Sequence, residues 1–109
     1  MFNAVRNRPV ITTDKYSIMM SHFVEWPEEL HYHLVTSKVT PEIIKAVRAD
    51  IAHGMVSLKE LFGVDTIYTM YESNDPNRRI GAMLGFSLHE VFVLDNIEYV
   101  KYSRKNIGE

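Results

Sequence analysis

The sequence predicts an α+β fold on a mixed sheet, with element order β-β-β-α-β-α-β-β. Three observations predict it. Six short runs rich in β-branched and aromatic residues alternate in polarity with a period of two. One stretch between Thr40 and Gly63 repeats its apolar residues every three or four positions, as an amphipathic helix does. A shorter helical signal between Asp75 and Gly85 separates two of the strand-like runs. No internal repeat, Ser/Gly linker or low-complexity tract divides the chain, so residues 1–109 are expected to form one domain.

Each element has its own local cause. Residues 10–13 (VITT) and 16–26 (YSIMMSHFVEW), with Asp14-Lys15 between them, read as a hairpin. A turn is expected over Trp26-Pro27-Glu28-Glu29. Residues 30–35 (LHYHLV) follow as a central strand, with Leu30, Tyr32 and Leu34 on one face and His31, His33 and Val35 on the other. Thr40-Pro41-Glu42 starts the long helix: Thr accepts a backbone N–H as N-cap, Pro is tolerated at the first helical position, and Glu favours the positive end of the dipole. Ile44, Val47, Ile51, Met55, Leu58 and Phe62 form its apolar stripe, and Gly63 stops it. Residues 65–72 alternate as a strand; Asp75-Pro76 then opens a short helix whose Ile80, Met83 and Leu84 point inward, closed by Gly85. Residues 87–94 and 97–105 are strands joined at Asp95-Asn96, a pair suited to a tight hairpin turn.

Composition excludes several function classes. With 46% apolar and 24% charged residues the chain has material for one core and an ordinary polar surface. A net charge of −2 gives no overall pull toward nucleic acid or membrane. The absence of Cys removes disulfide scaffolds, thiolate metal sites and a Cys nucleophile, and fits a cytoplasmic protein. No apolar run is long enough to span a bilayer, and the first ten residues lack the apolar core of a signal peptide. No membrane partner is expected.

The stretch VDTIYTMYESNDPNRRIGAMLGF, residues 64–86, places Asn74 at a strand end, eleven residues before Gly85, with a short helix and Leu84-Gly85-Phe86 after it and the long helix upstream. That order resembles the C-terminal half of the GNAT superfamily of acyl-CoA-dependent N-acetyltransferases. The likeness extends over about residues 10–105 and omits the family's usual N-terminal strand and helices. It implies a gap between the strands at 30–35 and 65–72, in which the pantetheine arm of acetyl-CoA lies against the first strand. Leu34, Val35, Ser37, Lys38, Thr40 and Asn74 are the cofactor-binding positions it implies, with the pyrophosphate at the start of the long helix. Glu29, with His31 and His33 beside it, matches the location of the family's catalytic base.

Two positions depart from the family pattern. Its Gly-rich pyrophosphate loop is replaced by Ser37-Lys38-Val39-Thr40-Pro41-Glu42, which lacks glycine, loses an N–H at Pro41 and adds a carboxylate at Glu42. At about 6 Å and an effective dielectric near 20, each carboxylate–phosphate charge pair would oppose binding by roughly 3 kcal/mol. Gly81 stands where many members carry the Tyr that protonates the departing thiolate, leaving water or Tyr71 for that task.

Other groupings have simpler readings. His31 and His33 provide two imidazoles, too few for a metal site, and none is expected. Arg78 and Arg79 read as an exposed helix face; a phosphate patch that joins them with Lys101, Arg104 and Lys105 gains no support from the net charge. Two functions follow from the resemblance: an N-acetyltransferase of weak or absent activity acting on a small-molecule or protein amine, or a non-catalytic binding or structural protein with a protein partner. The second is of the kind tailed phages encode, which would make it virion-associated. A sheet edge left uncovered favours homo-oligomers.

Overall fold

The computed structural model describes residues 4–105, and side chains from residue 9 onward. Its elements are β1 (Ala4–Thr12), β2 (Tyr16–Phe23), β3 (Trp26–Thr36), α1 (Pro41–Phe62), β4 (Thr66–Glu72), α2 (Arg79–Met83), β5 (Ser87–Leu94) and β6 (Ile97–Lys105), with a 3₁₀ turn at Pro76–Arg78 leading into α2. This is the predicted order. All six strands lie in one sheet, ordered β1-β2-β3-β4-β6-β5. Only β3 and β4 run parallel; every other neighbouring pair is antiparallel.

Local chemistry sets the boundaries. Thr40 accepts a hydrogen bond from the Ile43 N–H and caps α1, and Gly63 closes it at φ 69°, a conformation that a Cβ disfavours. Asp95 and Asn96 both take positive φ, as the two-residue turn between β5 and β6 requires. The expected turn at 26–29 is displaced. It lies at Val24-Glu25, and Trp26 already pairs with Phe23, so the strand absorbs Pro27. Pro27 is tolerated there because it lies before Leu30, where pairing with β4 begins.

The helices share one face of the sheet. Ile43, Val47, Ile51 and Met55 are buried at four-residue intervals and join Ile18, Tyr32, Ile67, Ile80, Leu84 and Phe86 in the core. Ile43 rather than Ile44 leads the stripe, and Phe62 at its far end is 73% exposed. On α2, Ile80 and Leu84 are buried as expected, whereas Met83 is exposed and Gly81 takes its place against the sheet. A hydrogen bond from the Tyr16 phenol to Asp50 ties β2 to α1 and holds that phenol's pKa up at about 12. Among the described residues no helix is long and apolar enough to cross a membrane.

Gly81 is a close-approach site. A Cβ there would lie 3.5 Å from both the Tyr71 and the Tyr102 ring, ordinary contact distances. Ala therefore fits, but Tyr would have to displace one of those rings. Gly81→Tyr is expected to lower stability by about 1–3 kcal/mol through overpacking, read by urea denaturation, while Gly81→Ala leaves it within about 1 kcal/mol of the wild type.

Candidate functional site

Parallel strands joined by a helix place the ends of both strands and the start of the helix at one edge of the sheet. Here that edge opens. Among the described residues β3 and β4 pair only at Leu30 with Ile67 and His31 with Tyr68; beyond them the β4-facing edge of residues 32–36 meets no described strand. A cavity of about 390 Å³ occupies the divergence. Residues from both faces of the sheet line it: Tyr32 and Tyr71 from the helix side, His31, His33, Met70 and Tyr99 from the other, with Glu72 and Asp75 at the end of β4.

On the face that carries no helix among the described residues, a charge cluster gathers around one buried lysine. Lys101 is completely buried, its ammonium 2.8 Å from Glu29 Oε1, 3.4 Å from Glu90 Oε1 and 4.0 Å from the centre of the Trp26 ring. The same Glu29 oxygen is 3.1 Å from His31 Nε2. A carboxylate paired with a lysine can only accept, so Nε2 carries the hydrogen and Nδ1 holds the lone pair. His31 Nδ1 is buried without a hydrogen-bond partner among the described residues. Burial pushes the His31 pKa below its usual 6.5, outweighing the Glu29 hydrogen bond that favours the charged form. The imidazole is thus neutral at pH 7, with a free acceptor nitrogen on a residue that lines the cavity.

The Tyr32 hydroxyl is a second buried group without a partner, and burial and the neighbouring Tyr71 raise its pKa. Tyr71, packed beside Gly81, is also raised, chiefly by burial, so both phenols keep their protons.

The expected cofactor positions separate. Leu34 packs at the fringe of the core and Val35 is about half exposed, both on the open edge of β3. The start of α1 is not a phosphate cradle. Pro41 has no N–H, the Ile43 N–H is taken by the Thr40 hydroxyl and the Ile44 N–H by the Thr40 carbonyl, leaving only the Glu42 N–H in that turn. Ser37 and Lys38 are exposed, and the Lys38 N–H is directed at the Thr36 hydroxyl. Beside this turn, between α1 and α2, a groove is lined by Val39, Thr40, Pro41, Lys45, Arg48 and Met83. Its cations, Lys45 and Arg48, were missed from the sequence because they read simply as the polar side of α1. Asn74 lies exposed in the turn after β4 and does not line the cavity.

Both histidines line the cavity, His31 buried and His33 exposed, and no group of three metal-binding side chains occurs among the described residues. Lys101 contributes to no surface phosphate patch. It lies on β6, an interior strand of the sheet, and its charge is spent on Glu29 and Glu90. Arg104 likewise donates to the Leu84 carbonyl at 2.8 Å. A lysine between Val100 and Tyr102 carries no local signal of burial; only the strand order reveals it.

No protein-family model and no curated protein matches the chain. Solved structures do. A GNAT-family acetyltransferase from Bacillus anthracis superposes with a TM-score of 0.65 at 17% identity, over 94% of this chain and 67% of that one. AAC(6')-Ib in complex with Parmomycin and AcetylCoA gives 0.63 at 12% identity, over 91% and 63%. A GnaT-family acetyltransferase from Bordetella pertussis gives 0.60 at 15%, over 88% and 60%. The chain thus spans about 60–67% of the length of these structures. At such identities the likeness establishes the fold: an α+β fold of the GNAT type, with a consistent strand order.

Proposed function

We propose that the protein binds acyl-CoA in the opening between β3 and β4 and transfers the acyl group slowly to an amine. The carrying observation is the divergence of the two strands after two paired residues. An open β-edge satisfies an extended, amide-containing arm as a further strand would. The diphosphate fits less well at α1, where a single N–H remains in the first turn, and its charge falls instead to the Lys45 and Arg48 side chains.

On this reading Glu29 orients His31, and His31 Nδ1 takes up the proton whose loss frees the lone pair of the acceptor nitrogen for attack. The bound thioester supplies an activated acyl carbon, whose C–S bond breaks as the new C–N bond forms. Tyr71 holds the proton that the departing sulfur needs. Its raised pKa makes it a reluctant donor, which limits turnover.

A second reading, a non-catalytic binding protein on the same scaffold, is favoured by that one-donor helix start. Titration with acetyl-CoA decides between them. Saturable binding is expected to raise Tm with ligand concentration, and Arg48→Ala and Lys45→Ala are each expected to weaken it about fivefold, the effect of losing about 1 kcal/mol. No shift at about 5 mM ligand, far above an ordinary cofactor Kd, would exclude the transferase reading.

A further inference from the structure

Lys101 has no exposed side-chain surface, although both carboxylates it meets, Glu29 and Glu90, keep contact with water. A side chain of similar volume without charge would fill such a place as well or better, because an ammonium must first give up its hydration. What only the ammonium supplies is positive charge beside Glu29 Oε1, 2.8 Å away. That oxygen is shared, for His31 Nε2 meets it at 3.1 Å.

The imidazole is held so that this one oxygen governs its proton. The rings of Phe23 on β2, Trp26 on β3 and Tyr68 on β4 lie 5.0, 5.9 and 5.7 Å from its centre and confine it. Titratable and charged groups reach it from several strands: Glu29 from its own, His22 from β2, Tyr68 from β4 and Lys101 from β6, with Glu90 of β5 behind Lys101. Glu29 alone favours the imidazolium, since a carboxylate at hydrogen-bond distance draws a proton onto the ring. Lys101 opposes this, repelling a second cation and neutralising charge at the shared oxygen.

We propose that Lys101 is the positioning residue of this cluster: it keeps Glu29 an ionised acceptor toward His31 Nε2, prevents the two from becoming a carboxylate–imidazolium pair, and so leaves Nδ1 its lone pair. The role belongs to the imidazole itself and stands whether or not the chain transfers acyl groups. Only its consequence for the pH range of turnover rests on the transferase reading.

The test is a ¹⁵N NMR titration of the histidines in the full chain, without any acyl-CoA, with the His31 signals assigned by their loss in His31→Gln. At pH 7.5 the wild type is expected to show the Nε2–H tautomer of His31; Nδ1–H would overturn the proposal before any variant is made. Lys101→Met keeps most of the volume and is expected to raise the His31 pKa, and adding Glu29→Gln is expected to bring it down again. A merely structural lysine gives a different pattern, in which loosening moves His31 toward its ordinary 6.5 in both variants alike. Glu90→Gln, at a half-exposed side chain, covers the case in which Lys101→Met does not fold. Glu90 reaches His31 through Lys101, so its neutralisation concentrates the ammonium on Glu29 and is expected to lower the His31 pKa further. An unchanged pKa in Lys101→Met, a rise that persists when Glu29→Gln is added, or no fall in Glu90→Gln would overturn the proposal. Where acyl transfer is measurable, the acid limb of its pH profile should move up with His31 in Lys101→Met; a protein without transfer leaves the NMR outcome intact, so the two hypotheses fail separately.

Discussion

Replacing Lys101 with Ala is expected to lower the free energy of unfolding by about 3 kcal/mol, because it removes the buried ammonium that Glu29 and Glu90 share and empties a fully buried site. The two costs differ in kind. Truncation removes the aliphatic stem packed against Trp26, while loss of the ammonium leaves Glu29 paired only with a neutral imidazole. Glu29 retains 22% of its side-chain surface and Glu90 47%, so water can partly resolvate them, which places the loss at the low end of the range for a broken buried pair. Urea denaturation at pH 7 separates the contributions. Lys101→Met restores most of the volume and should recover part of the loss; adding Glu29→Gln to it should recover more, since the orphaned charge is then gone. A loss below about 1 kcal/mol in Lys101→Ala would mean that the cluster is open to solvent and that Glu29 is not held in place by it.

The fold was legible because its signals are local. Thr40-Pro41, Gly63 and Asp95-Asn96 each fix a backbone conformation by their own chemistry, and the four-residue spacing from Val47 to Met55 follows from helix geometry. The site was legible only where strand alternation reached it. Glu29 and His31 were found as neighbours, but the third member of their cluster is 72 residues away from Glu29, on a strand that becomes its neighbour through β4. Alternation says that Lys101 and Tyr99 share a face; it does not say that Trp26 will cover it. The Pro27 turn failed for the opposite reason: a local breaker was tolerated because its side of the sheet is unpaired there. The start of α1 shows a third case, in which the cap that makes a good helix also consumes the N–H groups a phosphate would use.

Changing His31 to Gln tests the centre of the cluster with the largest expected effect on chemistry, a fall in acyl transfer of about 10²- to 10³-fold. Gln keeps an N–H for Glu29 but has no lone pair basic enough to accept a proton, so orientation is preserved and basicity lost. The pH profile discriminates this from a structural defect. Burial holds the folded His31 pKa below 6.5, so the wild type keeps its base at pH 7 and declines only on the acid side of 6.5; the variant should lack that limb. Stability carries the same signature with a fixed sign. Because the unfolded chain takes up the His31 proton first as pH falls, protonation favours unfolding. The contribution is complete above pH 6.5, is lost as pH falls from there through the folded pKa, and is constant below it. Urea denaturation between pH 7.5 and pH 5, read as the difference between wild type and His31→Gln, isolates that slope from the other groups that titrate over the range. A difference that does not change with pH would show that His31 titrates alike in both states, and would remove the buried neutral imidazole on which the proposed proton transfer rests.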